Sequence, residues 1–569
     1  MRKQTKLVAV LSTAALLAIG ASMTSFAAQG WAEEDGTWVY YDRNGDRVTD
    51  KWAKSGNNWY YLDSDGEMAI DTLIEDGDNY YYVDINGVMA SNQWVAIDNE
   101  DAGEDDEPEH YWYYFQANGK ALKNSGDNIA LKTVNGKKYA FDDEGKMLYG
   151  WVAADNAERI DNTDGDAFKD GVYYFGGEDD GAMTVGWLQM DITYDEATND
   201  YEIAPVFNDD EDQSRWFYFK SNGKKVQSDS SDDTKEKTIN GKKYAFDQYG
   251  AMVAEWSLDI AKATSNLGTN STAAVEKTGN SAQYSKAWRY FNSVEDGARV
   301  SKGWFKVVAA EYLNEDKYND DEDAWYYADG SGNLYAGEFK TIKGKKYAFR
   351  NDGRMVSGLK FVKEDGMSVK ADDDDDYPFD TEDDFIESAQ YYNANDYLCY
   401  YFGDGEDGAM KTNKTTISID GDNFNFYFEK SGSKKGSGVN GEKDDKYYLA
   451  GMLLKAGSDD KYQAIQKVSA DDEVETWKKL ADAKEVMEVV TPTSDTVTDE
   501  NVAAAKDAAS SFNKKADDLK ELYVLPENDL KLINTSGKVV DKKGKSKDGN
   551  DYVYVTDNSG VIRVIYVED

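Results

Sequence analysis

The chain of 569 residues is poor in cysteine, histidine and proline: it has one, one and five of them. A single cysteine, Cys399, rules out a disulfide framework within the chain, so folding has to rest on burial rather than cross-links. Its simplest role is that of a small buried hydrophobe. The only histidine, His110, follows the acidic stretch Glu104 to Glu109. Metal sites built on several histidines are excluded, as is a catalytic relay that needs a histidine elsewhere. Basic residues are also in short supply, with 64 Lys and Arg against 110 Asp and Glu and a formal net charge of −46 at pH 7. That field argues against nucleic acid as a partner, because phosphate contacts need clustered cations. It favours solubility and tolerates a cationic ligand.

Long apolar runs are missing as well. The run Leu7 to Ile19 is too short to span a bilayer. Arg2, Lys3 and Lys6 precede it and Ser25-Phe26-Ala27 follows, the order of a secretory signal peptide cleaved after Ala27. The rest is expected to be exported and not inserted into a membrane. The chain closes on Val-Ile-Tyr-Val-Glu-Asp without an apolar tail, so attachment to a cell is expected to be non-covalent or absent.

Against these shortages stand 41 Tyr and 14 Trp. A core made of such rings points to small β-units that bury ring faces and leave polar tips wet. Trp31, Trp52 and Trp94 fall on a 21-residue step with Leu73 in the third place; Trp38, Trp59 and Tyr80 keep the step, as do Gly45, Gly66 and Gly87. A fixed period of this length signals stacked repeats. Each unit holds an aromatic strand and a glycine turn seven residues on, as at Trp38/Gly45, Trp59/Gly66, Trp112/Gly119, Trp216/Gly223 and Trp325/Gly332. A second form begins with lysine at Lys138, Lys243 and Lys346, and each copy is opened by Asn-Gly or Lys-Gly. Asn-Gly between strand-like runs is a strong hairpin signal. A third form carries two extra residues and ends at Gly181, Gly297 and Gly408. The forms recur in fixed order, as three cassettes of about 105 residues, with an eroded fourth from Phe426 to Tyr448.

The predicted fold is mainly β, a solenoid of stacked β-hairpin repeats with a small C-terminal α+β region. The predicted segments are a signal peptide (1–27), 21-residue aromatic repeats (28–105), cassette repeats (106–455) and a C-terminal domain of unknown role (456–569). Within the last, 471–489 and 498–523 show helical spacing, and Tyr552 to Tyr566 reads as one more hairpin. Acidic segments such as Asp372 to Asp376 read as solvated loops.

Gly30-Trp31 through Gly45, Trp52 through Met68, and Gly150-Trp151 resemble the repeats of the choline-binding, or cell-wall-binding, family of Gram-positive surface proteins. The Asn-Gly-Lys-Lys-Tyr-Ala-Phe units at 135–141 and 240–246 are similar to the glucan-binding repeats of glucosyltransferases and to the carbohydrate-binding repeats of clostridial toxins. The resemblance implies hairpins with ligand sites at their junctions, no cofactor, and a partner such as choline-decorated teichoic acid or a glucan-like polysaccharide at the cell surface. The candidate cages are Trp38, Trp52 and Tyr61; Tyr81 with Trp94; Tyr139 with Trp151; and Tyr174 with Trp187. Electron-rich ring faces suit a quaternary ammonium, at about 0.5–2 kcal/mol per contact, and flat rings equally suit a sugar. The departures are Leu73 and Leu359 in place of tryptophan, and lysine at 138, 243 and 346. Packing between hairpins is the competing role for each ring, and the methionines after the glycines read as core.

Three other readings stay open. A wall-targeted hydrolase would need its activity in 456–569, where Glu485 and Glu488 are the candidate carboxylate pair. A calcium-stabilised adhesive protein would use Asp161, Asp164 and Asp166, though no EF-hand loop is present. In the third, the repeats are scaffold alone.

Overall fold

The computed structural model describes residues 29–569 except 105–106, 194, 196–202, 208–210, 232, 269–280, 372–378, 404, 469–475 and 541–545. The signal peptide read at 1–27 and the acidic run Asp372 to Asp376 lie outside the described residues. The chain is mainly β and divides into two compact units. One holds the described residues up to Met190 together with Phe217–Val226; the other holds Asp191–Trp216 and Gln227–Asp569.

In the first unit each repeat is an antiparallel hairpin. Gly30–Glu34 pairs with Thr37–Tyr41, Lys51–Ser55 with Asn58–Leu62, Thr72–Asp76 with Asn79–Val83, and Gln93–Asp98 with His110–Phe115. Two shorter pairs follow, Lys132–Val134 with Lys137–Tyr139 and Trp151–Val152 with Tyr173–Tyr174. At Asn135-Gly136 both turn residues have positive φ, 49° and 82°, as the two-residue turn that matches strand twist requires.

Consecutive hairpins are joined by one recurring backbone bond. The amide of Met68 donates to the Trp38 carbonyl at 2.7 Å, Met89 to Trp59 at 2.9 Å, Ala121 to Tyr80 at 2.8 Å, Met147 to Trp112 at 2.8 Å and Met183 to Lys138 at 2.8 Å. The residue two places after each turn glycine thus reaches a carbonyl near the start of the return strand of the hairpin before its own. Three places after that acceptor position, each hairpin from the second on buries one apolar side chain: Leu62, Val83, Phe115, Phe141 and Phe175 are at most 1% exposed. An isolated hairpin is marginal in water, so each repeat depends on its neighbours for burial.

The second unit continues the scheme with Lys235–Ile239 and Lys242–Phe246, Trp256–Leu258 and Trp288–Tyr290, Gly303–Val307 and Ala324–Ala328, and Glu338–Ile342 and Lys345–Phe349. The linking bond recurs from Met252 to Trp216, Arg299 to Lys243, Met355 to Trp325 and Met410 to Lys346. Helices are inserted between some of these hairpins. Ile260–Leu267 is capped by Asp259, whose side chain accepts from the Lys262 amide. Glu382–Ala394 starts with a Thr381/Asp384 capping box and lays Phe385 and Tyr392 on Phe361. The eroded fourth cassette is a five-stranded sheet, ordered Asn413–Ile419, Asp422–Phe428, Met452–Leu453, Lys446–Leu449, Gly441–Lys443.

Beyond it, helices Ala483–Val489 and Asp499–Ala508 pack beside a three-stranded and a four-stranded sheet. The helical spacing read over 498–523 holds only for its first part. Leu519 and Leu522 belong to the strand Leu519–Val524, where a register shift between Leu519 and Glu521 lets two residues three apart both turn inward. Tyr552–Thr556 and Ile562–Glu568 form the expected hairpin. Among the described residues no helix is long and apolar enough to cross a membrane.

Candidate aromatic binding site

Register decides which rings meet. In the second hairpin Trp52 lies opposite Tyr61 and Lys54 opposite Trp59. Trp52 therefore packs edge-on to Tyr61 at 5.1 Å, and on its other side meets Tyr81 of the next hairpin at 5.0 Å. The indole Nε1 donates to the Asp76 carboxylate at 3.1 Å, which fixes the ring. Beside it opens a cleft of about 740 Å³ lined by Trp52, Trp59, Tyr81, Met89, Asp84 and Gln93, with the amides of Asn58 and Asn118 at its edge. Trp59 is 39% exposed. Burial pushes up the Tyr61 and Tyr81 phenols, and carboxylates add to it: Asp50 and Asp76 at Tyr61, Asp76 at Tyr81. Both hydroxyls stay protonated at neutral pH, and the seam lies in a negative potential that favours a cation.

The arrangement repeats. Trp31 stands 5.2 Å from Tyr40 on its own hairpin and 5.2 Å from Tyr60 on the next. Trp94 stands 5.1 Å from Tyr114 and 4.9 Å from Tyr139, and Trp304 5.0 Å from Tyr327 and 4.9 Å from Tyr347. The tryptophan that opens a hairpin faces the following hairpin rather than the preceding one, so the expected groupings change. Trp52 and Tyr61 are together, but the rings completing that cleft are Tyr81 and Trp59, while Trp38 sits one hairpin earlier, opposite Glu33. Tyr81 belongs with Trp52 and not with Trp94; Tyr139 belongs with Trp94 and not with Trp151; Tyr174 lies opposite Trp151, and Trp187 meets Tyr218 at 5.1 Å. Tyr139 and Trp151 are 8% and 3% exposed, which makes them packing residues first. Trp59 and Met89 went unread as site residues. The 21-residue step that aligns Met68 with Met89 carried the signal, since it puts a half-buried thioether at both of these junctions.

A second cleft, of about 310 Å³, is lined by Glu107, Tyr111, Asp142, Lys146, Tyr149 and Arg159. Its rings already face the protein's own cations, Lys146 Nζ at 4.4 Å from Tyr111 and the Arg159 guanidinium at 4.2 Å from Tyr149. Burial pushes the Asp142 carboxyl up to about 6.

The fixed order of forms within a cassette has a structural cause. The longer turns reach back to the first form: the indole of Trp112 donates to Asp179 at 3.2 Å, Trp216 to Glu295 at 3.3 Å and Trp325 to Glu406 at 2.7 Å. The next residue pairs with the lysine just before the one that begins the second form: Lys137 with Asp180, Lys242 with Asp296 and Lys345 with Asp407, at 3.3, 3.1 and 3.9 Å. These pairs are exposed and contribute little energy; their effect is positional. At Glu406, hydrogen bonds from Lys306 and then from Trp325 hold the carboxyl below its usual range.

In the C-terminal region Glu485 accepts from the Ala481 amide and lies 3.7 Å from Lys478, so it closes the start of its own helix. Asp161 accepts from the amide and hydroxyl of Thr163. Among the described residues no group of three or more His, Cys, Asp or Glu converges as a metal site.

Against known proteins, the choline-binding repeat model matches residues 28–72 and 48–94, the stretch that holds Trp52, Trp59, Tyr81 and Met89. The linking backbone bond recurs beyond the matched residues, the last of those described being made by Met410. Glucosyltransferase-S of Streptococcus mutans is 24% identical over 256 residues, 45% of this chain and 12% of that protein. This chain thus matches only a small part of that curated relative's length. Among solved structures, the modular autolysin LytC of Streptococcus pneumoniae is 19% identical with a TM-score of 0.29, over 58% of this chain and 54% of that one. Choline binding protein F of the same species is 16% identical with a TM-score of 0.20, over 76% and 100%.

Proposed function

We propose that this is an exported, non-enzymatic protein that holds a choline-bearing cell-wall polymer at the cell surface through the seams of a hairpin solenoid. The observation that carries the reading is the open cleft of Trp52, Trp59, Tyr81 and Met89. Two indoles, a phenol and a thioether present π and polarisable surface, the Asp84 carboxylate adds charge, and a trimethylammonium group needs no hydrogen-bond donor or acceptor there. The net charge of −46 draws the cation in at long range. The non-enzymatic reading is supported by residues 456–569, which contain neither histidine nor cysteine and whose Glu485 is engaged in its own helix.

A second reading, a glucan-type sugar ring stacked on Trp59, is favoured by the amides of Asn58, Gln93 and Asn118 around the same cleft. Retention of the mature chain on choline-bearing cell walls, followed by elution with free choline or with soluble glucan, separates the two. Elution by choline alone is expected. Trp52→Ala and Tyr81→Ala should each weaken retention by roughly 2- to 30-fold, the equivalent of one cation–π contact. No retention of the wild type, or unchanged retention of both variants with their folds intact, would refute the assignment.

A further inference from the structure

One seam of the first unit differs from its neighbours in what stands at its centre. The backbone bond made elsewhere by Met68, Met89, Met147 and Met183 is made at the sixth junction by Lys225, whose amide donates to the Val172 carbonyl at 2.8 Å. Lysine here takes the place of the thioether. It is not a surface lysine: Lys225 is 3% exposed. Its ammonium lies 5.0 Å from the Trp151 ring centroid and 5.9 Å from that of Phe217, and it donates to the Phe168 carbonyl. Trp151, Phe168 and Phe217 are themselves buried, at 3%, 5% and 0% exposure. Trp151 keeps the two contacts of a seam tryptophan, Tyr174 on its own hairpin at 5.2 Å and Phe217 of the next at 5.5 Å.

Burying an ammonium is costly unless the surroundings replace its hydration. Two ring faces and a carbonyl oxygen are among the groups that do so here, the same kind of environment that a seam would offer an external cation. The junction also has Val172 where the open cleft has Trp59, so the outer wall of an external site is missing.

We propose that the Lys225 ammonium is the built-in ligand of the Trp151 seam. This seam is closed to external quaternary ammonium, and removal of the lysine side chain turns it into a site for a primary alkylammonium of matching length. The inference rests on reading the seams as cation sites, but its test does not use the Trp52 cleft. Lys225→Ala deletes in effect a butylammonium side chain. n-Butylammonium should therefore raise the melting temperature of Lys225→Ala by a few degrees, while 1-butanol, of similar shape and no charge, should not. Wild type and Lys225→Met, whose seams are filled, should show no shift. Equal shifts with butanol, no shift with either, or an equal shift in wild type would overturn the proposal.

If Lys225→Ala does not fold, the native chain supplies a second readout. With lysine labelled at its ε carbon, one of the resonances displaced upfield by neighbouring rings should vanish in Lys225→Met. If every ring-displaced lysine resonance of the wild type persists in that variant, the idea fails. Loss of choline retention by wild type would overturn the proposed function and leave both of these results standing.

Discussion

Two glycines of nearly the same backbone conformation separate the parts of the repeat design. Gly119 has φ +79° and Gly136 has φ +82°. A Cβ at Gly136 would meet nothing within 4 Å, whereas one at Gly119 would fall 2.4 Å from the Met89 sulfur and 2.5 Å from its methyl. Replacement by alanine forces a left-handed conformation on both, at about 1–2 kcal/mol. At Gly119 the Met89 side chain must also leave its rotamer, adding about 0.5–1.5 kcal/mol. Gly136→Ala should therefore lose about 1–2 kcal/mol and Gly119→Ala about 1.5–3.5 kcal/mol, read from urea midpoints followed by tryptophan emission at constant slope. Because Met89 lines the Trp52 cleft, Gly119→Ala should also weaken ligand retention, and Gly136→Ala should not. A Met89→Ala/Gly119→Ala double variant removes the clash and keeps the strain, so the two substitutions must be non-additive. Equal losses for the two glycines, or strict additivity with Met89→Ala, would refute the idea that the turn glycine sets the position of the methionine before it.

Asp142, whose carboxyl burial pushes up to about 6, keeps a proton in the folded state that the unfolded chain releases near pH 4. Its contribution is fully present below that lower value and is lost as pH rises through about 6; in Asp142→Asn the urea midpoint should lose this slope. Glu406→Ala should leave the urea midpoint nearly unchanged but free the Trp325 indole, seen as stronger acrylamide quenching of tryptophan; a large loss of stability would show that the contact does more than position the ring. Cys399, 1% exposed and with its thiol pushed well up by burial, should resist disulfide reagents in the native state and react fully in urea.

Much of the hairpin design was legible in the chain because it rests on local rules. Alternating aromatics, Asn-Gly turns with positive φ and the 21-residue step each act within one or two repeats, and the strands at Lys51–Ser55 and Asn58–Leu62 lie where those rules put them. The helix Glu382–Ala394 was hidden because its acidic, weakly amphipathic sequence reads as a solvated insertion; its capping box was the missed signal. Leu519 and Leu522 mimic helical spacing only because a bulge in their strand turns both inward.

Sequence alone determined that the chain is a hairpin array rich in seam aromatics, since periodicity, turn residues and charge are properties of the chain itself. Which rings share a seam was decided only by the tertiary structure. Trp52 has Tyr61 and Tyr81 at nearly the same distance, one across its own strand pair and one on the next hairpin, and no one-dimensional spacing tells which way an indole points. The direction follows from how the Met68 and Met89 amides dock on the preceding hairpins, a contact between repeats that exists only once they are stacked.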